Sequence, residues 1–253
     1  MFSKAIVRTP AKSLADGITT AGLGKPDYEL TLKQHALYIE ALESCGLAVA
    51  VMDADDAYPD SMFIEDVALV MPRCAIVTHP GALSRRGEVA AVSSQLDDFR
   101  EKVDAIQSPG TVDAGDIMMV GDHCYIGLSE RTNADGAAQM TGLLQASGYS
   151  GSTVSISESL HLKSSVSYLE NNNLVVTGEL VDKAEFADFN HIEIDQQERY
   201  AANCVWINDH VLLATGYPRS REKIRALGYS VIELDVSEFR KLDGGLSCLS
   251  LRF

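Results

Sequence analysis

Four short segments of this sequence combine side chains that could carry out catalysis. They are Asp60-Ser-Met-Phe-Ile-Glu65-Asp66, Gly110-Thr-Val-Asp113-Ala-Gly-Asp116, Leu160-His161-Leu-Lys163-Ser164 and Asp243-Gly-Gly-Leu-Ser-Cys248. Each stands where a predicted hairpin or strand begins. Acids, one histidine and one cysteine that meet in one pocket would allow nucleophilic catalysis with acid–base assistance.

Cys248 is the candidate nucleophile among the five cysteines. Gly244 and Gly245 precede it, and paired glycines indicate that another group approaches the backbone closely. The alternative is a buried free thiol, which is the ordinary fate of an intracellular cysteine and our interpretation of the other four. A nucleophile also needs a base, and His161 is the candidate because it opens an apolar run, although a lone histidine can be purely structural.

Asp66 and Asp113 lie among apolar residues, where an unpaired carboxylate is costly. Backbone amides could satisfy them, and we interpret Asp116 in this structural way. Asp66 and Asp113 could instead bind a planar guanidinium, whose N–H donors suit two carboxylates. Arg85 and Arg131 are candidate clamps for a ligand carboxylate, with solvated surface arginines as the alternative.

Composition limits the class of protein. The chain has 253 residues and a formal net charge of -15, which favours a soluble globular protein and argues against binding to nucleic acid or anionic membranes. The N-terminus has no apolar signal region, and no stretch approaches the length of a membrane span. We therefore predict a cytoplasmic protein with free thiols. No cysteine or histidine spacing suggests a metal site.

The predicted elements repeat as hairpin, helix and strand. Complete copies begin near residues 62, 117, 165 and 204, and a fifth forms if a closing strand near Leu246–Leu251 pairs with the first strand at Lys4–Arg8. A short helix near Lys183–Phe189 would belong to the third copy. No linker divides the chain, so we predict a single catalytic domain over residues 1–253, built as an α/β ring closed by its termini.

These motifs together resemble the dimethylarginine dimethylaminohydrolase family of the guanidino-modifying, or pentein, superfamily. The resemblance runs from Ala5-Ile-Val-Arg-Thr-Pro10 through FIED, DAGDIMMVGDHCYIGLSERTN and LHLK to the tail DGGLSCLSLRF, and it is close to the bacterial members. It implies the pentein fold, in which five ββαβ modules surround a pseudo-fivefold axis. It also implies hydrolysis of methylated arginines to citrulline without a cofactor, with a homodimer as a possible assembly.

The resemblance implies a role for each site residue. Cys248 would be the nucleophile and His161 the general acid and base. The remaining positions would bind substrate: Asp66 and Asp113 the guanidinium, Asp60, Arg85 and Arg131 the amino acid end, Ile18 the amine through its carbonyl, and Phe63 the aliphatic stem. The segment Leu14–Gly24 matches a mobile lid. Close bacterial relatives have Glu at position 113, so the shorter Asp113 could shift the guanidinium and alter methyl preference.

Three other functions remain open at this stage. An arginine deiminase-like hydrolase of unmethylated arginine would use the same residue types. A binding protein could sequester arginine-like ligands without turnover, although an intact Cys, His and Asp set argues against it. Amidino transfer would need a second amine in place of water.

Nearby carboxylates should also raise the resting pKa of Cys248, so we expect a bound guanidinium to assist its ionisation.

Overall fold

A computed structural model describes residues 1–253 as five separate three-stranded sheets with helices between them. The strands, numbered in chain order, are β1 Lys4–Arg8, β2 Ala48–Met52, β3 Ala68–Met71, β4 Cys74–Val77, β5 Asp104–Ala105, β6 Ile117–Val120, β7 His123–Leu128, β8 Ser150–Ser155, β9 Val166–Tyr168, β10 Asn173–Val176, β11 Asn190–Glu193, β12 Val205–Ile207, β13 His210–Ala214, β14 Ser230–Leu234 and β15 Leu251–Arg252. The α-helices are α1 Tyr28–Ser44, α2 Glu88–Asp97, α3 Ala134–Ala146, α4 Pro218–Arg225 and α5 Ser237–Arg240.

Every sheet has the same topology, which confirms the predicted repeat of ββαβ modules. Two strands form an antiparallel hairpin, and the third returns parallel to the middle strand. A parallel return requires a crossover, which α2, α3, α4 and α1 provide in four of the modules. The predicted helix near Lys183–Phe189 is wrong: two 3₁₀ turns, Gly178–Leu180 and Ala184–Phe186, make the crossover in the third module. This connection is short, and its turns suffice to bury Phe186.

The fifth module is assembled from both ends of the chain, as predicted. In it, β1 pairs antiparallel with β15 and parallel with β2. The closing strand is shorter than expected, because only Leu251–Arg252 is extended and Ser247–Leu249 forms a 3₁₀ turn. Cys248 therefore lies on a turn and not on a strand.

A 3₁₀ turn precedes the first strand of every module. The five turns are Ile64–Val67, Ala114–Asp116, Leu162–Ser164, Gln196–Ala202 and Ser247–Leu249. Neighbouring turns contact one another around the centre of the molecule. The fold thus gathers one turn from each module around the pseudo-fivefold axis, and several of the side chains singled out in the sequence lie on or beside these turns.

Local sequence explains why the helices begin and end where they do. The side chain of Asp27 accepts a hydrogen bond from the Leu30 amide at the start of α1, and Asn133 caps α3 in the same way through Gly136. Gly46 follows α1 with a φ of 90°, in the left-handed region that favours glycine. No helix combines the length and the apolar character that crossing a membrane requires.

Candidate active site

All nine residues predicted to form the site line one small cavity of about 40 Å³. They are Ile18, Asp60, Phe63, Asp66, Arg85, Asp113, Arg131, His161 and Cys248. Leu160, Leu242, Asp243 and Gly244 complete its wall. The structure therefore brings together residues that are far apart in the sequence and come from different modules.

The turn that carries Cys248 is held by side chains of its own module and of the fourth module. The amide of Ser247 donates to the Asn203 side-chain oxygen at 3.1 Å, and Asn203 donates in turn to the Ser247 hydroxyl at 3.0 Å. Arg252 donates to the Ser247 carbonyl at 3.1 Å, and Tyr38 donates to the Leu246 carbonyl at 3.0 Å. These bonds fix the backbone on both sides of the sulfur, so the partly exposed thiol has a defined position.

His161 is surrounded by carboxylates. Its Nε2 lies 3.1 Å from Asp113 Oδ2, and its Nδ1 lies 3.9 Å from Asp66 Oδ1. Burial lowers the pKa of His161, but the charges of Asp66, Asp116 and Asp113 and the hydrogen bond to Asp113 raise it to about 9. Gly115 allows this close packing, because a Cβ there would lie 2.6 Å from Asp66 Oδ1 and 2.9 Å from His161 Nδ1. The imidazole is thus protonated at neutral pH and can act as an acid.

The thiol of Cys248 is protonated in the unliganded protein. Burial, followed by the charges of Asp66 and Glu65, raises the pKa of Cys248 to about 12, while the Gly245 amide and Lys163 act in the opposite direction. This confirms the predicted direction, although burial is a larger cause than the carboxylates. A cation bound beside these carboxylates would favour the thiolate.

Arg85 is tied to two buried carboxylates. Its guanidinium binds Glu88 through two hydrogen bonds of 3.0 and 2.8 Å and pairs with Asp66 through Nη1. Burial opposes its charge, but Asp66 and Glu88 raise the pKa of Arg85 well above its ordinary value. Its Nη2 also donates to the Phe63 carbonyl at 2.9 Å. Most of its donors are therefore used inside the protein, and its first effect is to orient Asp66.

Arg131 differs from Arg85 because its guanidinium forms no hydrogen bond or ion pair within the chain, although it lines the same cavity. Its backbone is fixed by its amide, which donates to the Ser129 hydroxyl at 3.0 Å. Gly81 packs against it so closely that a Cβ would lie 2.5 Å from the Arg131 carbonyl oxygen. Arg131 is thus positioned by its backbone with all five side-chain donors available for an anionic group.

Asp60 contacts the segment that covers the cavity. Both of its carboxylate oxygens accept from the Ile18 amide, at 3.1 and 3.2 Å. Burial raises the pKa of Asp60, and Arg85 and the Ile18 amide oppose this effect. Phe63 follows on the same loop, packs edge-on against Phe239 at 6.3 Å, and presents an apolar face to the cavity.

Asp116 confirms its structural interpretation and also links two parts of the site. It accepts hydrogen bonds from the Thr132 hydroxyl at 2.6 Å, the Ser129 hydroxyl at 2.7 Å and the Leu162 amide at 2.9 Å. The first two lie on the loop of Arg131, and the third follows His161 directly. Asp116 therefore fixes the loop of Arg131 and the turn after His161 relative to each other.

Ligand atoms of Asp66, Asp113 and His161 lie within 4.8 Å of one another, a spacing that a metal ion can also use. Both carboxylates already accept hydrogen bonds from protein groups, since Gly115 donates to Asp66 at 3.2 Å and Gly81 donates to Asp113 at 2.9 Å. Both residues line the cavity, and each carboxylate oxygen can accept a second hydrogen bond, so a planar organic cation with several donors suits this pair.

A second, larger cavity of about 350 Å³ contains none of the nine predicted residues. Its lining includes Glu65, which pairs with Lys163 at 2.7 Å and with Arg252 at 2.9 Å. Ser247 lines this cavity and Cys248 lines the smaller one, so the Ser247–Leu249 turn forms part of the wall between them. The size of a cavity is therefore not the feature that identifies the site.

Several residues that support the site were not predicted from the sequence. Asn203 follows the fourth turn, and its position at the opening of the fourth hairpin was the only signal that could have pointed to it. Glu88 stands three residues after Arg85, which is a spacing that favours an ion pair on a helical turn. Asp243 begins the segment that ends at Cys248, but nothing in the sequence indicated its hydrogen-bond partners.

Comparison with known proteins agrees with this geometry. Residues 25–249 match the family described as "N,N dimethylarginine dimethylhydrolase, eukaryotic". The chain is 56% identical to the N(G),N(G)-dimethylarginine dimethylaminohydrolase of Pseudomonas aeruginosa over 100% of both chains, and 35% identical to that of Streptomyces coelicolor over 98% of this chain and 96% of the relative.

Solved structures give the same result. A Cys-to-Ser variant of the Pseudomonas aeruginosa enzyme complexed with citrulline superimposes with a TM-score of 0.99, 56% identity and full coverage of both chains. The N-terminal domain of ArgZ, an arginine dihydrolase from Cyanobacteria, shares the fold with a TM-score of 0.89 at 18% identity, covering 100% of this chain and 97% of that one. The chain therefore belongs to the dimethylarginine dimethylaminohydrolase family and has the pentein fold.

Proposed function

We propose that this protein hydrolyses Nω-methylated arginines, namely asymmetric dimethylarginine and monomethylarginine, to citrulline and dimethylamine or methylamine. The observation that carries the proposal is the meeting of a thiol, a protonated imidazole and two carboxylates in one cavity. The relative that is 56% identical over its full length bears the name of this activity. The matching complex of that relative holds citrulline, which would be the product here.

Binding places the guanidinium between Asp66 and Asp113, whose carboxylates accept its N–H groups. Arg131, together with Arg85, holds the substrate carboxylate, while Asp60 and the Ile18 carbonyl receive the amine. Phe63 packs on the methylene stem. Arg131 has the larger share in carboxylate binding, because the guanidinium of Arg85 is already paired with Asp66 and Glu88.

The first chemical step forms a covalent adduct. The Cys248 thiolate attacks the guanidinium carbon, and the new C–S bond gives a tetrahedral intermediate. His161 donates its proton to the methylated nitrogen, the C–N bond breaks, and the amine leaves. The product of this step is a cationic thiouronium on Cys248, which stays beside Asp66 and Asp113, and His161 is left neutral.

The second step hydrolyses the adduct. Neutral His161 removes a proton from water, and the resulting oxygen attacks the same carbon. The hydroxyl group of this second tetrahedral intermediate gives up its proton to solvent as the C–S bond breaks. Cys248 leaves as thiolate, and neutral citrulline is released. The net reaction exchanges an amine for oxygen without any change of oxidation state, so the side chains and water account for every proton and electron pair.

The direct test is to incubate the purified protein and its Cys248→Ser variant with asymmetric dimethylarginine and to measure citrulline and dimethylamine. Citrulline from the parent and none from the variant is the expected result. If the parent instead consumes unmethylated arginine and releases ammonia, the activity is that of an arginine deiminase. Tight binding of either compound without turnover would support the non-catalytic binding protein and refute the proposal.

The location and assembly are also part of this proposal. We infer a cytoplasmic enzyme from the free thiols and a homodimer from the resemblance to the family. Light scattering on the purified protein measures the assembly directly, and a monomeric mass at micromolar concentration would contradict the homodimer.

A further inference from the structure

The segment from Ile18 to Asp27 has no regular secondary structure and begins at the cavity. Ile18 lines the cavity, and its amide is bound by Asp60. At the other end, the Asp27 amide donates to Glu238 Oε2 at 2.6 Å. The segment is thus attached at both ends, and the hydrogen bonds of the residues between these ends determine its position beside the cavity.

One carboxylate, that of Asp243, binds the two residues that directly follow Ile18. Its Oδ2 accepts from the Thr20 amide, from the Thr20 hydroxyl at 3.1 Å and from the Thr19 hydroxyl at 3.2 Å. The Thr19 hydroxyl lies closer, at 2.8 Å, to the carbonyl of Lys241. Residues 21–26 add only one hydrogen bond, from the Ala21 amide to Thr19 Oγ1 at 3.1 Å. An exposed ion pair of 3.7 Å joins Lys25 to Asp16. Among the partners of residues 19–26 outside the segment, Asp243 is the one that accepts from a backbone amide, so it is the main polar attachment of the segment between its ends.

The backbone of Asp243 supports a specific role for its side chain. Its φ is 58°, in the left-handed region where a residue other than glycine is strained and where Asp and Asn are the best tolerated alternatives. Gly244 and Gly245 follow directly, so glycine at 243 would be the unstrained choice for the backbone alone. The contacts that an aspartate provides here, and that glycine could not, are the hydrogen bonds from Thr19 and Thr20.

Asp243 also connects the covering segment to the nucleophile. It lines the cavity together with Leu242 and Gly244, and its loop leads directly into the turn that carries Cys248. A movement of the segment away from Asp243 would open the cavity next to the sulfur and would remove the Ile18 carbonyl from the substrate amine. Both the guanidinium end and the amino acid end of the substrate would then be less enclosed by the protein.

We propose that Asp243 is a positioning residue that fastens residues 18–21 over the bound substrate and so sets its affinity. This inference rests on the proposed function for its kinetic consequence, but the hydrogen bonds can be tested without turnover. The Oδ2 atom of Asp243 is used by Thr19 and Thr20, so the loss of this carboxylate should change binding more than chemistry.

The test compares Asp243→Gly with a matched control, Asn171→Gly. Both replace a left-handed residue with glycine, and Asn171, with a φ of 52°, lies in the exposed β9–β10 turn without side-chain partners. Hydrogen exchange of the residue 18–21 amides is measured first. Exchange should become faster in Asp243→Gly and stay at the parental rate in Asn171→Gly. Asp243→Asn keeps one acceptor oxygen and the backbone preference, so it should fall between parent and Asp243→Gly.

Kinetics with asymmetric dimethylarginine form the second measurement. For Asp243→Gly we expect a rise in KM of about tenfold, which corresponds to the loss of a charge-assisted hydrogen-bonded contact, with a much smaller change in kcat. Faster exchange with unchanged KM would overturn the positioning role, and unchanged exchange would overturn the fastening itself. If the parent shows no turnover, the proposed function fails, and the exchange measurement still decides whether Asp243 fastens the segment.

Discussion

A cation in the guanidinium site should ionise the thiol of Cys248. Burial and the charges of Asp66 and Glu65 raise the pKa of this thiol to about 12, so at about pH 8 only about one thiol in ten thousand is ionised. A unit charge about 4 Å from the sulfur, at an effective dielectric constant of about 20, contributes about 4 kcal/mol. That energy corresponds to about a thousandfold in the ionisation constant, so roughly a tenth of the thiol becomes thiolate at about pH 8.

The thiolate can be measured by its ultraviolet absorbance across a pH titration. The spectrum of the Cys248→Ser variant is subtracted from that of the parent, which removes the contribution of the four other cysteines, all of them buried. Titrations are compared with and without methylguanidine, a small cation that carries no amino acid end, and sodium chloride of equal ionic strength serves as the control. Intact mass after each titration establishes that the thiol has not been modified.

Methylguanidine should displace the titration of Cys248 toward neutral pH, whereas sodium chloride should leave it unchanged. Saturation is verified independently by competition of methylguanidine with substrate turnover. The reasoning is refuted if the free protein already has an ionised thiol near neutral pH. It is also refuted if a saturating concentration of methylguanidine leaves the titration in place.

Three further predictions follow from the same contacts. Asp116→Asn places a side-chain amide opposite donors such as the Leu162 amide. It should lower the free energy of unfolding by about 2 kcal/mol in a denaturant titration and also reduce kcat/KM. An unchanged denaturation midpoint would contradict this. Gly244→Ala adds a Cβ 2.1 Å from the ring of Phe63, so steady-state kinetics should give a kcat/KM about tenfold lower, whereas parental kinetics would show that the ring moves freely. Burial lowers the pKa of His161 but the surrounding carboxylates raise it to about 9, so its stabilisation is complete below about pH 6.5 and is lost as the pH rises through about 9. The difference in Tm between the parent and His161→Gln should therefore be larger in acid than in alkali, and a difference that grows with pH would refute the protonated histidine.

The repeat of the fold could be predicted because each module has its own local signals. Alternating apolar runs, hairpin turns and helix caps recur along the chain, and the two terminal strands lacked partners until they were paired with each other. The third crossover and the closing strand were predicted less well. A 3₁₀ turn and a short helix have similar sequences, and the bonds from Asn203 and Tyr38 that hold the turn at Ser247–Leu249 come from distant parts of the chain.

The site residues could be identified by type, but their partners could not. An acid among apolar residues must be paired, yet the sequence does not say with what: Asp66 pairs with Arg85, and Asp116 binds two hydroxyls and an amide. The same limit applies to Arg85, which was predicted as a carboxylate clamp and is found between two buried acids. Such pairings depend on how the modules pack around the axis, and local sequence patterns do not predict that packing.

The central claim is that Cys248 attacks a guanidinium carbon and carries the adduct. Turnover of asymmetric dimethylarginine labelled with carbon-13 at that carbon can be stopped with acid during the first reaction cycle, and the digested protein can be analysed by mass spectrometry. The account predicts that the peptide containing Cys248 carries the label, that dimethylamine release precedes citrulline, and that Cys248→Ser shows neither. Citrulline formation by the parent with no label on Cys248 at any time, or at an undiminished rate by the variant, would contradict it.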